Sequence, residues 1–355
     1  MSMRYLLLVI LLLNSFCCLY CQPAVPPDSN FSSCLQKANS LLDEAFLFMQ
    51  KNYYRKNEVQ WDSLQQAARQ RLNSSGNCNE TYDVISWCFR ELNEVHSFIM
   101  PPSKAAIYTN DATKLAQPVA LSALVGEIKA GMVDEGIAYL SVPWVSTTDS
   151  LLCIRVADSL QQLIARLDAG RPRGWIIDLR KNTGGNCWPM LAGIGPLLGE
   201  GVCGYFISSR EKIPISYGDG AARQGKHVRC QASTGYTLQS GKRPIIVLTG
   251  KKTVSSGEIV ALAFKGREDV YFYGEPTAGY TTANASYTLS DNSMLVLSVC
   301  READRNGVIC TGSIVPDESF SAPNSGSHDP ALAGAIMWLA SQPTGSLKLA
   351  APAVN

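Results

Sequence analysis

The chain has almost no net charge: 31 Lys and Arg stand against 30 Asp and Glu, giving +1 at pH 7. With a pI near 7.4 it lacks the basic footprint of a nucleic-acid binder or of a protein held to acidic lipid. Histidine is scarce, limited to His96, His227 and His328. Among the nine cysteines from Cys34 to Cys310 no Cys-x-x-Cys pair and no Cys/His cluster appears, so the common zinc patterns are missing there. There is no internal repeat and no low-complexity tract. Apolar residues make up 46% and charged residues 17%, a balance that excludes disorder and suits a packed core. The 355 residues allow one large domain and a smaller one.

The N-terminus reads as a signal peptide over residues 1–21. Arg4 precedes the apolar run Tyr5–Leu13, which is short for a membrane span, and Gln22-Pro-Ala-Val-Pro-Pro follows. Soluble export is the expectation. Lipid anchoring at Cys17, Cys18 or Cys21 is the less favoured alternative, because Phe16, Cys17 and Tyr20 are poor predecessors of a lipidated cysteine. Export permits disulfides among the other nine cysteines. Cys300 and Cys310 flank a hairpin expected over Arg301–Ile309 with Asn306-Gly307 as its turn, and are the first choice of pair. Cys203–Cys230 is the second choice. Nine is odd, so at least one thiol is expected to be free or to pair between chains.

A helical subdomain is expected over 30–105. Leu41, Leu42, Ala45, Phe46 and Met49 share one helical face, Trp61 opens a second helix, and Tyr82, Ile85, Phe89 and Leu92 mark a third with Asn79 or Thr81 as N-cap. An α/β core is expected over 119–342. Val125–Ile128 and Ile137–Val142 read as strands, and a long amphipathic helix follows through Leu152–Leu167. Buried strands are expected at Gly174–Arg180, Pro244–Thr249 and Asp269–Tyr273, with helices at 187–198 and 256–266. Asp329-Pro begins a last helix to about Leu339. The polar stretch 207–243 reads as a surface excursion.

Two segments carry chemistry. In Leu248-Thr-Gly-Lys-Lys-Thr-Val-Ser-Ser-Gly-Glu an apolar strand runs into a tight polar turn, and an apolar helix leaves it. Ser255 therefore sits at a helix N-terminus, where forward-pointing amides favour an anion. A serine there is by itself most often a plain N-cap. The second segment, Asp178-Leu-Arg-Lys-Asn-Thr-Gly-Gly-Asn, also joins a strand to a helix. Gly184 and Gly185 expose backbone N–H groups of the kind an oxyanion needs. The alternative there is a simple glycine turn or a phosphate loop, but no Gly-Lys-Ser/Thr and no Gly-x-Gly-x-x-Gly spacing follows.

These residues, with Gly274-Glu-Pro-Thr-Ala-Gly, Asp304-Arg and Gly312-Ser-Ile-Val-Pro-Asp, resemble the C-terminal-processing and tricorn core peptidases over roughly residues 120–320. The resemblance implies a Clp-protease/crotonase-like α/β core and peptide-bond hydrolysis. It makes Ser255 the nucleophile, and the Ser256 amide with that of Gly184 or Gly185 the oxyanion donors. Glu258 matches a carboxylate near the nucleophile, and is equally explained as a first-turn acid at a helix N-terminus. Many relatives carry a lysine just after the Gly-Glu-Pro-Thr-x-Gly motif, where this chain has Tyr280. The tricorn-like branch uses a histidine base instead, and His96, in Glu94-Val-His-Ser-Phe before the core, matches its position. Ser97, Asp304 and Asp317 are all candidates to orient it. Too few residues separate Met100 from the core for a PDZ domain, so none is expected.

The expectation is thus an exported serine peptidase acting on peptides or proteins, needing no metal or organic cofactor. Two rivals remain: a non-catalytic binding protein for apolar ligands or peptides on the same fold, and a crotonase-type acyl-thioester enzyme, against which Ser255 and its neighbours argue.

Overall fold

Three helices, α1 (Ser29–Asn52), α2 (Trp61–Ser74) and α3 (Thr81–Glu91), form the N-terminal part of the computed structural model, which describes residues 29–109, 119–134, 136–320 and 329–342. The expected leader and His328 lie outside the described residues. Leu42, Ala45, Phe46 and Met49 of α1 are fully buried against Leu72, Ile85 and Phe89, as the helical spacing of their apolar residues requires. A bridge between Cys34 and Cys78 ties α1 to the turn before α3. The expected cap of α3 by Asn79 or Thr81 is not made: Glu80 precedes the helix without a side-chain cap, and Asn77 caps the short turn before it, accepting from Asn79 N.

The chain continues through β1 (Phe98–Met100), α4 (Pro102–Thr109), β2 (Ala130–Val133), β3 (Ile137–Ser141), α5 (Ser150–Asp168), β4 (Gly174–Asp178) and α6 (Cys187–Leu198). Then come β5 (Gly201–Ile207), β6 (Lys212–Gly218), β7 (Ala221–Gln224), β8 (His227–Gln231), β9 (Ile245–Thr249) and α7 (Ser256–Phe264). The last elements are β10 (Val270–Gly274), β11 (Thr282–Thr288), β12 (Met294–Ala303), β13 (Glu318–Ser319) and α8 (Pro330–Ser341). The architecture is the expected mixed α/β core with a helical N-terminal part.

One sheet runs β13-β10-β9-β4-β3-β2, parallel except for β2. Every residue of β4 and β9 is buried, which explains their unbroken apolar sequence: both faces are covered. Trp175 and Ile177 pack among residues of α5, α6 and α7, while Ile176 and Ile246 meet Ala335 and Leu339 of α8 on the opposite face. The second sheet, β1-β12-β5-β6-β7-β8 with β11 also on β12, is antiparallel throughout. Leu295 and Leu297 of β12 join the apolar cluster of the N-terminal helices.

Several expectations are corrected. Val125–Ile128 is not a strand: Val125 makes only an isolated bridge to Val145, and β2 begins at Ala130. Gly126 packs there against the Trp144 ring, which a side chain would displace. The stretch 207–243 is no surface excursion but holds β6–β8, with Ile215 and Tyr217 buried on alternate positions. Cys300 and Cys310 are both free. Cys310 N donates to Glu302 O at 2.9 Å, so the hairpin register sets Cys310 opposite Glu302 and only diagonal to Cys300, beyond the reach of a bridge. Cys203 and Cys230 are also free, because β5 and β8 are separated by β6 and β7.

Candidate active site

Between β9 and α7 the backbone turns sharply, and Ser255 takes φ 53° and ψ −118°, a conformation L-residues rarely adopt and that costs roughly 1–3 kcal/mol. The neighbouring loop holds it there. Thr253 Oγ1 donates to Leu179 O at 2.9 Å, and Val254 N donates to Asn182 O at 3.0 Å. Gly184 lies so close that a Cβ on it would fall 3.0 Å from Ser255 Cβ and 2.7 Å from Val254 O. The strained turn carries the candidate hydroxyl. Its partner is His96, whose Nε2 lies 2.8 Å from Ser255 Oγ across 159 residues of sequence.

His96 precedes β1, and β1 and β11 flank β12 on opposite edges, so the pairing of β12 brings the imidazole and the start of β11 together. Nδ1 of His96 is 2.8 Å from Thr282 Oγ1, which is 3.0 Å from Ser298 Oγ. Ser298 Oγ reaches Glu94 Oε1 at 3.1 Å and Asn284 Oδ1 at 2.9 Å. Glu94 also accepts the amides of His96 and Ser97 at 2.9 and 3.1 Å, and the Tyr53 hydroxyl at 3.0 Å. Arg55 Nη2 donates to that hydroxyl at 2.8 Å. One assignment of protons satisfies this row: Nδ1–H donates to Thr282, Thr282 to Ser298, and Ser298 to the Glu94 carboxylate. Nε2 is then unprotonated and faces the alcohol. Burial pushes the imidazole pKa down to about 4, against the opposing pull of the Glu94 charge and the Thr282 backbone, so the ring is neutral at physiological pH.

The candidates considered for orienting His96 do not reach the ring. Ser97 Oγ accepts from Ser298 N at 2.9 Å, Asp304 accepts the Asn306 and Val308 amides of the hairpin turn, and Asp317 accepts Phe272 N. The row of hydrogen bonds from the ring runs instead through Thr282 and Ser298 to Glu94, and sequence reading missed all three. Threonines and serines are too common to stand out, and their meeting depends on the register Asn284↔Ser298 across β11 and β12. The one available signal was Glu94, an acid two residues before the histidine.

Gly184 N donates to Asn182 Oδ1 at 3.0 Å, which occupies that amide. The amides of Gly185 and Ser256 have no hydrogen-bond partner among the described residues. They are held beside one another, since Ser256 Oγ donates to Gly185 O at 2.6 Å. Glu258 is wholly buried and accepts four bonds: Ser255 N and Tyr280 N at 2.8 Å, Gly279 N at 2.8 Å and Thr277 Oγ1 at 2.5 Å. Burial raises its pKa, and these bonds lower it without cancelling the rise. Glu258 thus binds the backbone of the serine turn, not the hydroxyl, and clamps it to the 277–280 loop. Tyr280, at the position of the expected lysine, sets its ring edge-on to His96 at 5.3 Å. His227 lies exposed as the first residue of β8, directly after the Gly225–Lys226 turn. No group of three or more His, Cys, Asp or Glu among the described residues could hold a metal ion.

The model of peptidase family S41 matches residues 136–320. The nisin-resistance protein of Lactococcus lactis subsp. lactis is 29% identical over 285 residues, covering 80% of this chain and 81% of that protein. Chloroplastic carboxyl-terminal-processing peptidase 2 of Arabidopsis thaliana is 30% identical over 146 residues, 41% of this chain and 25% of its own length. Among solved structures, a lipoprotein from Streptococcus agalactiae superposes with TM-score 0.66 at 24% identity, covering 87% of this chain and 96% of that one. The photosystem II D1 C-terminal processing protease superposes with TM-score 0.52 at 16% identity, covering 81% and 94%.

Proposed function

The chain belongs to peptidase family S41, and from that membership we propose a serine peptidase that cleaves peptide bonds by acyl transfer. His96 Nε2 removes the Ser255 proton as Oγ attacks the peptide carbonyl. The Gly185 and Ser256 amides receive the oxyanion. The imidazolium, steadied through Thr282 and Ser298 by Glu94, returns the proton to the leaving amine. Water, activated by the same imidazole, then releases the acyl group. The observation that carries this reading is the 2.8 Å contact between Ser255 Oγ and a buried, neutral His96. The unpartnered amides beside the hydroxyl support it, as does the strained turn. Export is part of the proposal, supported by the leader-like N-terminus, the Cys34–Cys78 bridge and the similarity to a lipoprotein. No helix among the described residues is long and apolar enough to cross a membrane.

A fluorophosphonate probe tests the chemistry. The wild-type chain is expected to label on Ser255, Ser255→Ala to lose labelling, and His96→Ala to label slower by roughly 10³-fold or more. A folded wild-type protein that neither labels nor hydrolyses peptides would leave a ligand-binding scaffold as the better reading.

A further inference from the structure

Two residues of one short segment meet the imidazole. Thr282 Oγ1 lies 2.8 Å from Nδ1, and the Tyr280 ring packs edge-on against the imidazole, with centroids 5.3 Å apart and planes at 79°. The loop that carries Tyr280 is fastened to the serine turn. Ala278 N donates to Thr253 O at 3.0 Å, and Gly279 N and Tyr280 N donate to the Glu258 carboxylate that also takes Ser255 N. Thr277 N donates to Ile314 O at 3.1 Å and ties the start of the same loop down. Tyr280 therefore has its backbone on the clamp of the candidate nucleophile and its ring on the candidate base. His96 and Tyr280 are both walls of a pocket of about 190 Å³, yet His96 keeps only 8% of its surface accessible. Space for several waters thus adjoins a ring that water hardly reaches.

An imidazole acting as a base must keep Nε2 on the hydroxyl and stay unprotonated until it takes the proton. One hydrogen bond at Nδ1 fixes a point on the ring and leaves the ring free to swing about it. A second contact on the ring fixes its plane, and an edge-on aromatic contact has the directionality to do so. We infer that Tyr280 is a positioning residue of the proposed peptidase: its ring holds the imidazole plane with Nε2 toward Ser255 and keeps the water of the adjoining pocket off the base. The position of the expected lysine thus holds a support for the histidine. The charged or titratable groups around the imidazole are Glu94 on its own segment, Glu258 on α7, Arg301 on β12, and Tyr54 and Cys310 on the pocket wall. Replacing Tyr280 by Phe or Leu leaves all of them in place, so a shift in the protonation of His96 reports lost cover rather than an altered charge.

The inference rests on the serine-peptidase reading, and its test separates the two. Fluorophosphonate labelling rates are measured against pH for wild type, Tyr280→Phe and Tyr280→Leu, with thermal melts to show that each is folded. Tyr280→Leu is expected to label slower by roughly tenfold to a hundredfold, with its acid limb moved up from near 4 toward the ordinary histidine value of about 6.5. Tyr280→Phe keeps the ring and is expected to restore the rate to within about twofold of wild type, with the acid limb unmoved. If the Leu variant fails to fold, Tyr280→Met, longer and more adaptable, takes its place. An acid limb unmoved in the Leu or Met variant, or moved equally in Tyr280→Phe, overturns the inference and leaves the peptidase standing. The imidazole of His96 is also titrated by NMR in each variant, assigned against His96→Gln, which makes the same comparison without any reaction. If wild type does not label, a titration that rises in Tyr280→Leu and not in Tyr280→Phe keeps the ring as the cover of the imidazole and removes the peptidase. A titration unchanged in both removes the inference as well.

Discussion

Two buried ionisable side chains have their pKa values shifted in the directions that favour the neutral form, with opposite consequences for pH. His96 is pushed down to about 4, so the proposed base stays unprotonated well below the ordinary histidine range. The rate of fluorophosphonate labelling is expected to hold through pH 6 and to fall only near pH 4, and an acid limb near 6.5 would contradict the burial argument. The same shift costs stability. As pH drops from 6.5 toward 4 the unfolded chain takes up a proton that the folded chain refuses, so stability declines across that window. Glu302 is the reverse case. Its carboxyl is buried between β12 and α7, neither oxygen has a hydrogen-bond partner, and burial with the nearby Glu258 drives its pKa well up. A raised acid contributes stability below its ordinary pKa and loses it as pH rises through the folded value. Glu302→Met should therefore gain on wild type, by about 1–3 kcal/mol in denaturant melts, more at pH 8 than at pH 4. The residues with reactive chemistry were legible as candidates because histidine is rare and Ser255 sits between a strand and a helix. Glu302 was not, since an acid in an alternating strand reads as solvent-facing.

Elements rather than residues decide the geometry of the site. The glycine loop before α6 and the serine turn before α7 are both strand-to-helix junctions of parallel neighbours β4 and β9, so their helix-initiating amides converge beyond the carboxyl ends of those central strands. That much was readable, because five-residue apolar strands followed by apolar helices have few alternatives. Which glycine offers its amide was not readable. It depends on Asn182 capping Gly184, a contact made inside the loop. Gly185 at φ 101° packs against Val145 O, into which a Cβ would run directly. Gly185→Ala is expected to destabilise by about 1–3 kcal/mol and to slow labelling by 10²-fold or more, read by thermal melts and probe kinetics together. The β11–β12 pairing does the same for the base. Thr282→Val removes the oxygen that receives Nδ1–H and keeps the β-branched shape, and should slow labelling by roughly 10–100-fold at an unchanged melting temperature, while Thr282→Ser restores most of the rate. Equal rates for Val and Thr would mean that the hydroxyl row does not orient the ring. The β6–β8 meander escaped sequence reading for a related reason. Its strands are short and interleaved with charge, and they are anchored where the Tyr217 ring packs against Gly195 of α6.

At the scale of the molecule, the catalytic candidates come from two parts of the chain 159 residues apart. The proposed nucleophile follows β9 of the parallel sheet. The base follows the N-terminal helices, and Tyr53 at the end of α1 and Arg55 beyond it complete the row that ends on Glu94. The helices were legible from their apolar stripes, whereas the bridge that staples them was not, because Cys34 and Cys78 are 44 residues apart and no turn signal links them. Closing a loop of that length removes unfolded-chain entropy equivalent to about 4 kcal/mol as an upper value. Reduction, or Cys34→Ser with Cys78→Ser, should therefore loosen α1 and α3 first. Hydrogen exchange is expected to show lost protection in α1–α3 while β4 and β9 stay protected, since those strands draw their burial from α5–α8. Because Tyr53 and Glu94 ride on the loosened part, labelling of Ser255 should slow under the same conditions, before the melt of the parallel sheet. Simultaneous loss of protection in the helices and in β4 and β9 would show instead that Leu295 and Leu297, which join the helical cluster to β12, couple the two parts into one cooperative unit.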